Sequence, residues 1–327
     1  MKFEKSEIKK ILVISLSNIG DVILTFPVLD ILKEHFPSAQ LHVVVGPKAE
    51  PLLVGNPHFS GIHIFKKHDS VMSKIKWVWK LRGENFDLAV DLRNTAIPFL
   101  IGARYRTPLN FSRNEILHKK QSHLNRLRSV FSFSSEAEKR HALFIAEAED
   151  KFARDVLSLS SCPKEKNVIV SPGAANHNKR WTKEGFAEVC DQLIEKHRMR
   201  VIFVGDDSDR SFAQEIAAIM KNPSLLLCGK TTLRQLAAVL SQARFIIAND
   251  SGVMHLASYL DIPTVAIFGP TDPAKYGPWS SQHHVVKPSS FLPLDKKSDS
   301  TDNQQVMRCV KADEVFKKAE AILTNTV

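Results

Sequence analysis

Short apolar runs rich in Val, Ile and Leu alternate with helical periods along nearly the whole chain, and most of these runs stop at a turn of small or acidic residues. This alternation leaves few options. Strands that return through helices pair in parallel, with helices on both faces of the sheet. The stretch Ile11 to Asp30 shows the unit most clearly. Ile11-Leu12-Val13-Ile14-Ser15-Leu16 has the length and β-branched character of a buried strand. The turn Ser17-Asn18-Ile19-Gly20 follows, and from Asp21 the pattern becomes helical, with Val22, Leu24, Phe26, Val28, Leu29 and Leu32 on the apolar face. Strand, tight glycine turn and helix together place backbone N–H groups and one side chain at the carboxyl edge of the sheet, where open α/β folds bind ligands. Asp21 is therefore a candidate catalytic carboxylate. From this stretch alone, capping of the helix start is the commoner role for such a residue.

At 327 residues the chain exceeds one ordinary core and implies about two domains. No apolar run approaches membrane-spanning length. The apolar run after Lys9-Lys10 is too short for a signal peptide and has no small-residue cleavage site behind it, so export is not expected. Cys162, Cys190, Cys228 and Cys309 have no metal or C-x-x-C spacing and read as reduced, mostly packed thiols of a cytoplasmic protein. The net charge of +10 is concentrated: residues 99–140 hold nine Lys/Arg against three Asp/Glu. Such a bias suits an anionic partner (a nucleic acid, a membrane surface or a phosphorylated substrate), although a merely solvated surface has the same look.

Further strands are expected at 40–45, 61–65, 87–92, 167–170, 200–204, 225–227, 244–248 and 264–268, with another strand or turn ending at Arg106. Asp91 closes the fourth strand and so faces the ligand edge, either as an acceptor contact or as an ordinary turn-bonded Asp. Residues 107–135 break the pattern and read as a mobile loop or irregular helices carrying Arg113, His118, Lys119, Lys120, His123, Arg126 and Arg128. Glu136 to Leu157 reads as one long amphipathic helix, and the polar stretch 158–166 as a linker. Domains of 1–160 and 161–327 follow. Residues 288–305 read as loop, and the last helix, Ala312 to Thr324, could pack back on either domain, the first included.

Three turns in the second half carry most of the chemistry. Ser171-Pro172-Gly173-Ala174-Ala175 lets backbone approach a phosphate, with Lys179 as a point charge nearby. Asn249-Asp250-Ser251-Gly252 opens a helix whose N-terminus suits an anion, and His255 lies one turn in. Gly205-Asp206-Asp207-Ser208-Asp209 sets carboxylates where ribose hydroxyls could be held. No G-x-G-x-x-G follows the first strand, and no P-loop, zinc motif or G-x-S-x-G elbow is present. Phosphate cradles in one half and a lone carboxylate in the other suggest a nucleotide donor and an acceptor hydroxyl.

Taken with Lys179-Arg180-Trp181, Phe268-Gly269-Pro270-Thr271 and Pro278-Trp279, these turns resemble glycosyltransferase family 9, the ADP-heptose:lipopolysaccharide heptosyltransferases, in order over roughly residues 9–325. The resemblance implies a GT-B fold: two Rossmann-like, doubly wound parallel-sheet domains facing across a cleft. It implies inverting transfer of heptose from ADP-heptose to a growing inner-core lipopolysaccharide, with no metal and no other cofactor. Asp21 would be the general base and Lys179 the lysine on the donor phosphates. Asp250, Ser251, Gly252 and His255 would hold the diphosphate beside Gly173 and Ala174, and Asp209 falls near the ribose-binding acid. Family members often carry Thr or Ser where this chain has Ala174-Ala175, which leaves backbone N–H groups to make those contacts. The anionic acceptor, met at the inner membrane surface, would engage Asp91, Arg104, Arg113, Lys119, Lys120 and Arg126, and no nucleic acid is expected. Two alternatives stay open: a GT-B enzyme using another nucleotide sugar, and a non-catalytic anion-binding protein of the same fold.

Overall fold

The computed structural model describes residues 4–109, 117–134, 137–157, 163–288 and 300–324. The chain divides into two compact units at Phe144/Ile145. In the first unit five strands, β1 (Lys10–Ile14), β2 (Gln40–Val45), β3 (Gly61–Ile64), β4 (Leu88–Asp91) and β5 (Tyr105–Arg106), pair in parallel in the order β3-β2-β1-β4-β5. Its helices are α1 (Ile19–Ile23), α2 (Phe26–His35), α3 (Glu50–Leu53), α4 (Val71–Gly83), α5 (Ile97–Leu100) and α6 (Lys119–Arg128). Ile11 to Ile14 of β1 are buried, as a central parallel strand covered on both faces requires.

The second unit has six parallel strands: β6 (Asn167–Ser171), β7 (Arg200–Phe203), β8 (Leu225–Leu226), β9 (Phe245–Asn249), β10 (Thr264–Ile267) and β11 (His283–Val286), in the order β11-β10-β9-β6-β7-β8. Its helices are α7 (Glu147–Val156), α8 (Lys183–His197), α9 (Arg210–Ile219), α10 (Leu233–Ser241), α11 (Gly252–Tyr259), α12 (Pro273–Tyr276), α13 (Ser300–Arg308) and α14 (Ala312–Thr324). In both sheets the winding reverses once, between β1 and β4 and between β6 and β9. Those two gaps are the topological switch points where open α/β sheets take ligands.

Several local expectations are corrected. The helix expected from Asp21 is two helices, interrupted at Leu24-Thr25. There the buried Thr25 hydroxyl donates to Val22 O at 2.6 Å, and Pro27 supplies no N–H to the next turn. The long helix expected over 136–157 exists only as α7. Upstream, Asp30 accepts from the N–H groups of His141 and Ala142, Glu34 from those of Glu138 and Lys139, and the Asn56 amide donates to His141 and Ala142 carbonyls. Backbone groups held this way cannot form a helical ladder. Helix α7 packs on α10, with Glu149 paired to Arg234 at 3.0 Å, so it belongs to the second unit and the boundary falls before it rather than near residue 160. Helix α14 lies on α8, β10 and β11 within the second unit. Strand β11 and helix α13 appear where no strand was expected and where loop was expected.

Within the stretch expected to be a mobile loop or irregular helices, 119–128 forms the regular helix α6. It buries His123, Leu124 and Leu127 while packing on α2 and β4. Burial first, then the nearby Lys119, Arg126 and His118, pushes the His123 imidazole down to about 4 from its ordinary 6.5. The folded unit thus holds this ring neutral while the unfolded chain protonates it. Its contribution is complete above pH 6.5 and lost as pH falls toward 4, at up to about 1.4 kcal/mol per pH unit. Urea melts at pH 7.5 and 5 should show a smaller loss of stability with acid in His123→Gln than in the parent, and equal losses would remove His123 as the cause.

Candidate active site

The first switch point brings two carboxylates to one sheet edge, because β1 leads into α1 and β4 ends in register with it, Ile14 opposite Asp91. The two are used differently. Asp91 is buried, and its carboxylate accepts the N–H of Arg93 at 2.8 Å, the N–H of Thr95 and the Thr95 hydroxyl at 2.9 Å. It fixes its own turn, the second of the two roles the sequence left open for it. Asp21 is half-exposed in the first turn of α1, and among the described residues its side chain takes a single bond, from the Asn18 amide at 3.0 Å. No backbone N–H of the helix start uses that carboxylate, so Asp21 is not a cap.

Among the cationic candidates, Arg126 reaches this edge and clamps the Asp91 carbonyl through Nε at 3.2 Å and a terminal nitrogen at 2.9 Å. Lys119 and Lys120 form the first turn of α6, which His118 caps by accepting the Lys120 N–H at 3.2 Å. Arg113 lies outside the described residues. Arg104 is misplaced by the sequence reading. Tyr105 of β5 pairs level with Leu88 at the start of β4, so Arg104 sits at the amino edge, 3.8 Å from Glu7, opposite the ligand edge.

The second switch point gathers side chains from three loops. Lys179, on the loop after β6, places its ammonium 2.7 Å from Asp250, which follows β9. The same Asp250 oxygen accepts the Thr271 hydroxyl at 2.8 Å, from the loop after β10. His255, on α11, is 3.9 Å from the other Asp250 oxygen and stacks on Trp279 with ring centroids 5.8 Å apart. Ser251 opens α11, its hydroxyl accepting the Met254 N–H at 3.5 Å. The N–H groups of that first turn, at Gly252 and Val253, follow Asp250 and Ser251 directly in the chain.

Beneath this cluster, Asn249 is fully buried. Its amide donates to the Pro172 carbonyl at 2.7 Å and accepts the Trp181 N–H at 3.2 Å, locking the phosphate-type turn to the Lys179 loop. Trp181 is itself pinned by its indole N–H on Val310 O at 3.1 Å and by the edge of Phe186. Gly185 is glycine because a Cβ there would fall 2.4 Å from the Trp181 ring. Asn249, Thr271 and Trp279 were not among the expected site residues. All three lie in turns that the sequence marks, and Asn249, read there as the first residue of its turn, is in the structure the last residue of β9.

The family model for glycosyltransferase family 9 (heptosyltransferase) matches residues 76–305. The chain belongs to that family. Lipopolysaccharide core heptosyltransferase OpsX of Haemophilus influenzae is 26% identical over 321 residues, covering 88% of this chain and 90% of that protein. The family 9 glycosyl transferase of Veillonella parvula superposes with a TM-score of 0.86 at 24% identity, over 100% of this chain and 99% of that one. The Escherichia coli ADP-heptose lps heptosyltransferase II superposes with a TM-score of 0.76 at 23% identity, over 96% of this chain and 98% of that one. These likenesses establish the fold as GT-B, and family membership makes the chain a glycosyltransferase.

One candidate residue of this family 9 enzyme has a different task from the expected one. Asp209 is buried, ion-paired to Arg180 at 2.8 Å, and accepts the Asp206 N–H at 3.2 Å. Burial, then the adjacent Asp206, raises its carboxyl above the usual range. The side chain is wedged against Gly173, where a Cβ would lie 2.1 Å from its oxygen, so it braces the turns after β6 and β7 instead of presenting a carboxylate to solvent. Gly173→Ala should therefore destabilise the second unit by about 1–3 kcal/mol. Thermal melts of the double-mutant cycle with Asp209→Ser check this: Gly173→Ala should cost less in the Asp209→Ser background, where the clashing carboxylate is gone, than in the parent.

Proposed function

We propose that this glycosyltransferase transfers heptose from ADP-heptose to an inner-core lipopolysaccharide acceptor with inversion at the anomeric carbon. The observation that carries the donor half is the convergence of Lys179, Asp250, Thr271, His255 and the first turn of α11 at one switch point. An ammonium has three donors. Asp250 takes one from Lys179, and the others are available for diphosphate oxygens, as are the N–H groups of α11. Relatives that act on lipopolysaccharide core, and a neighbour of the same fold named for ADP-heptose, support this choice of donor and acceptor.

In the proposed step the acceptor hydroxyl oxygen attacks the anomeric carbon. The bond from that carbon to the diphosphate oxygen breaks, and ADP leaves with the electron pair. The hydroxyl proton passes to Asp21, whose carboxylate has, among the described residues, only the Asn18 amide as partner and so keeps lone pairs for it. Lys179 and the α11 N–H groups stabilise the charge that grows on the leaving diphosphate, a task the proposal gives to them and not to a metal. Asn18 acts as a positioning residue, holding the Asp21 carboxylate in one orientation.

The test pairs binding with turnover. ADP should raise the melting temperature by mass action more than UDP, GDP or NAD does, and Lys179→Ala should lower that effect. Asp21→Asn should keep the ADP shift but lose roughly 100- to 10,000-fold in kcat with ADP-heptose and a lipopolysaccharide acceptor, and EDTA should leave turnover unchanged. A larger shift with UDP or GDP would mean another nucleotide sugar. Undiminished turnover in Asp21→Asn would place the base elsewhere.

A further inference from the structure

Helix α4 is apolar on two opposite sides. Its inner stripe packs Leu81, Trp77 and Val78 onto the core of the first unit, with Trp77 against Phe65 at 5.4 Å. That stripe is all folding requires of the helix. Yet Met72, Ile75 and Trp79, spaced i, i+3 and i+7, form a second stripe on the outer side, with Met72 62% and Trp79 66% exposed. Helix α5, which packs beside α4, adds exposed Phe99 and Leu100. Together with Val71, these make six of the ten exposed large apolar side chains among the described residues, gathered on two neighbouring helices. A contiguous patch of this kind marks an interaction surface, unlike singly scattered apolar residues.

Cations border the patch and tie it together. The Arg82 guanidinium lies over the Trp79 ring at 5.8 Å and donates to the Leu100 carbonyl at 3.0 Å, joining α4 to α5. Arg106 covers Phe99 at 4.6 Å. Lys76 and Lys80 flank the outer stripe and are exposed. From Lys66 to Arg82 six Lys/Arg stand against one acid, Asp69.

We propose that this outer face of α4 and α5 docks the protein on an anionic lipid bilayer. The charge selects the occupant. A second copy meeting this face through a two-fold axis would set one cation cluster against another, and ordinary protein interfaces deplete lysine. A bilayer with acidic headgroups accepts both parts: Met72 and Ile75 enter the acyl boundary, Trp79 sits at headgroup depth, and the lysines and arginines meet lipid phosphates. No helix among the described residues is long and apolar enough to cross a membrane, so the contact lies in the interface plane. The assignment rests on this surface alone and stands or falls separately from the choice of donor.

The experiment is flotation of the full chain with vesicles of phosphatidylcholine alone and of phosphatidylcholine with phosphatidylglycerol. The protein should float with the phosphatidylglycerol vesicles, less as salt rises, and barely with phosphatidylcholine. Ile75→Ser/Trp79→Ser and, separately, Lys76→Glu/Lys80→Glu should each lower partitioning by roughly tenfold or more while melting temperature and the ADP-induced shift stay at parental values. Absence of flotation with phosphatidylglycerol at low salt, or unchanged partitioning in both folded variants, would overturn the proposal. So would a dimer in sedimentation equilibrium that Ile75→Ser/Trp79→Ser dissociates without any effect on vesicles, since a second copy would then own the face.

Discussion

The arrangement at the second switch point depends on a buried amide. Asn249 sits at the end of a central strand with no exposure, where an unsatisfied amide would be expensive. Its two ends are satisfied by the Pro172 carbonyl and the Trp181 N–H, which belong to the two segments flanking the Lys179 loop. Those contacts fix where the chain must run after β6, and therefore where the Lys179 ammonium arrives. Asp250, the next residue, then receives both Lys179 and Thr271 on one oxygen. Three loops are held by two consecutive side chains. Pre-set donors of this sort have no reorganisation to make when charge develops near them.

The electrostatics of the cluster are more balanced than its basic sequence suggests. Both members of the Lys179-Arg180 pair face a carboxylate, Lys179 on Asp250 and Arg180 on Asp209. Arg180 is enclosed, lying 5.7 Å over the Phe212 ring while its ion pair braces the β6 and β7 turns. Lys179 is the more exposed of the two and retains unused donors. Adjacent cations thus have separate tasks, one in the scaffold and one at the surface of the site. Composition could not separate them, because the difference lies in which acid each one meets.

What could be read from the chain was whatever its local pattern dictates. Strands β1, β6 and β9 declare themselves through β-branched runs, and the turns after them carry Asp21, Gly173 and Asp250 because a parallel sheet delivers every such turn to one edge. The failures share a cause. The segment before α7 reads as helix by period, but Asp30 and Asn56 hold it from more than 80 residues away in sequence. The stretch holding α6 stayed open between loop and irregular helix because KKQSHLNRLR offers only Leu124 and Leu127 with His123 to the core. Arg104 was misjudged because β5 has only two residues, too few to show which edge of the sheet its neighbours occupy. Asp91 and Asp209 look alike as acids near strand ends. Only their partners reveal that both fix turns while Asp21 does not.

Helix α4 shows the same limit from the other direction. Its sequence, VMSKIKWVWKLRG, has no single apolar face, because inner and outer stripes are both apolar and the lysines fall between them. The chain over 71–82 nevertheless reads as a helix, and the structure forms it, capped by Ser70, whose hydroxyl accepts the Ser73 N–H at 3.2 Å; what the pattern does not tell is which stripe faces the core. The inner stripe accounts for its place in the fold. The outer stripe contributes nothing to the core of this unit, and leaving Met72, Ile75 and Trp79 in water forgoes the burial that such side chains otherwise gain. Chemistry that folding does not use has to be understood from what lies outside the chain. For an enzyme whose proposed acceptor is a lipid-anchored saccharide, a cationic apolar face confines the search for that acceptor to the bilayer surface.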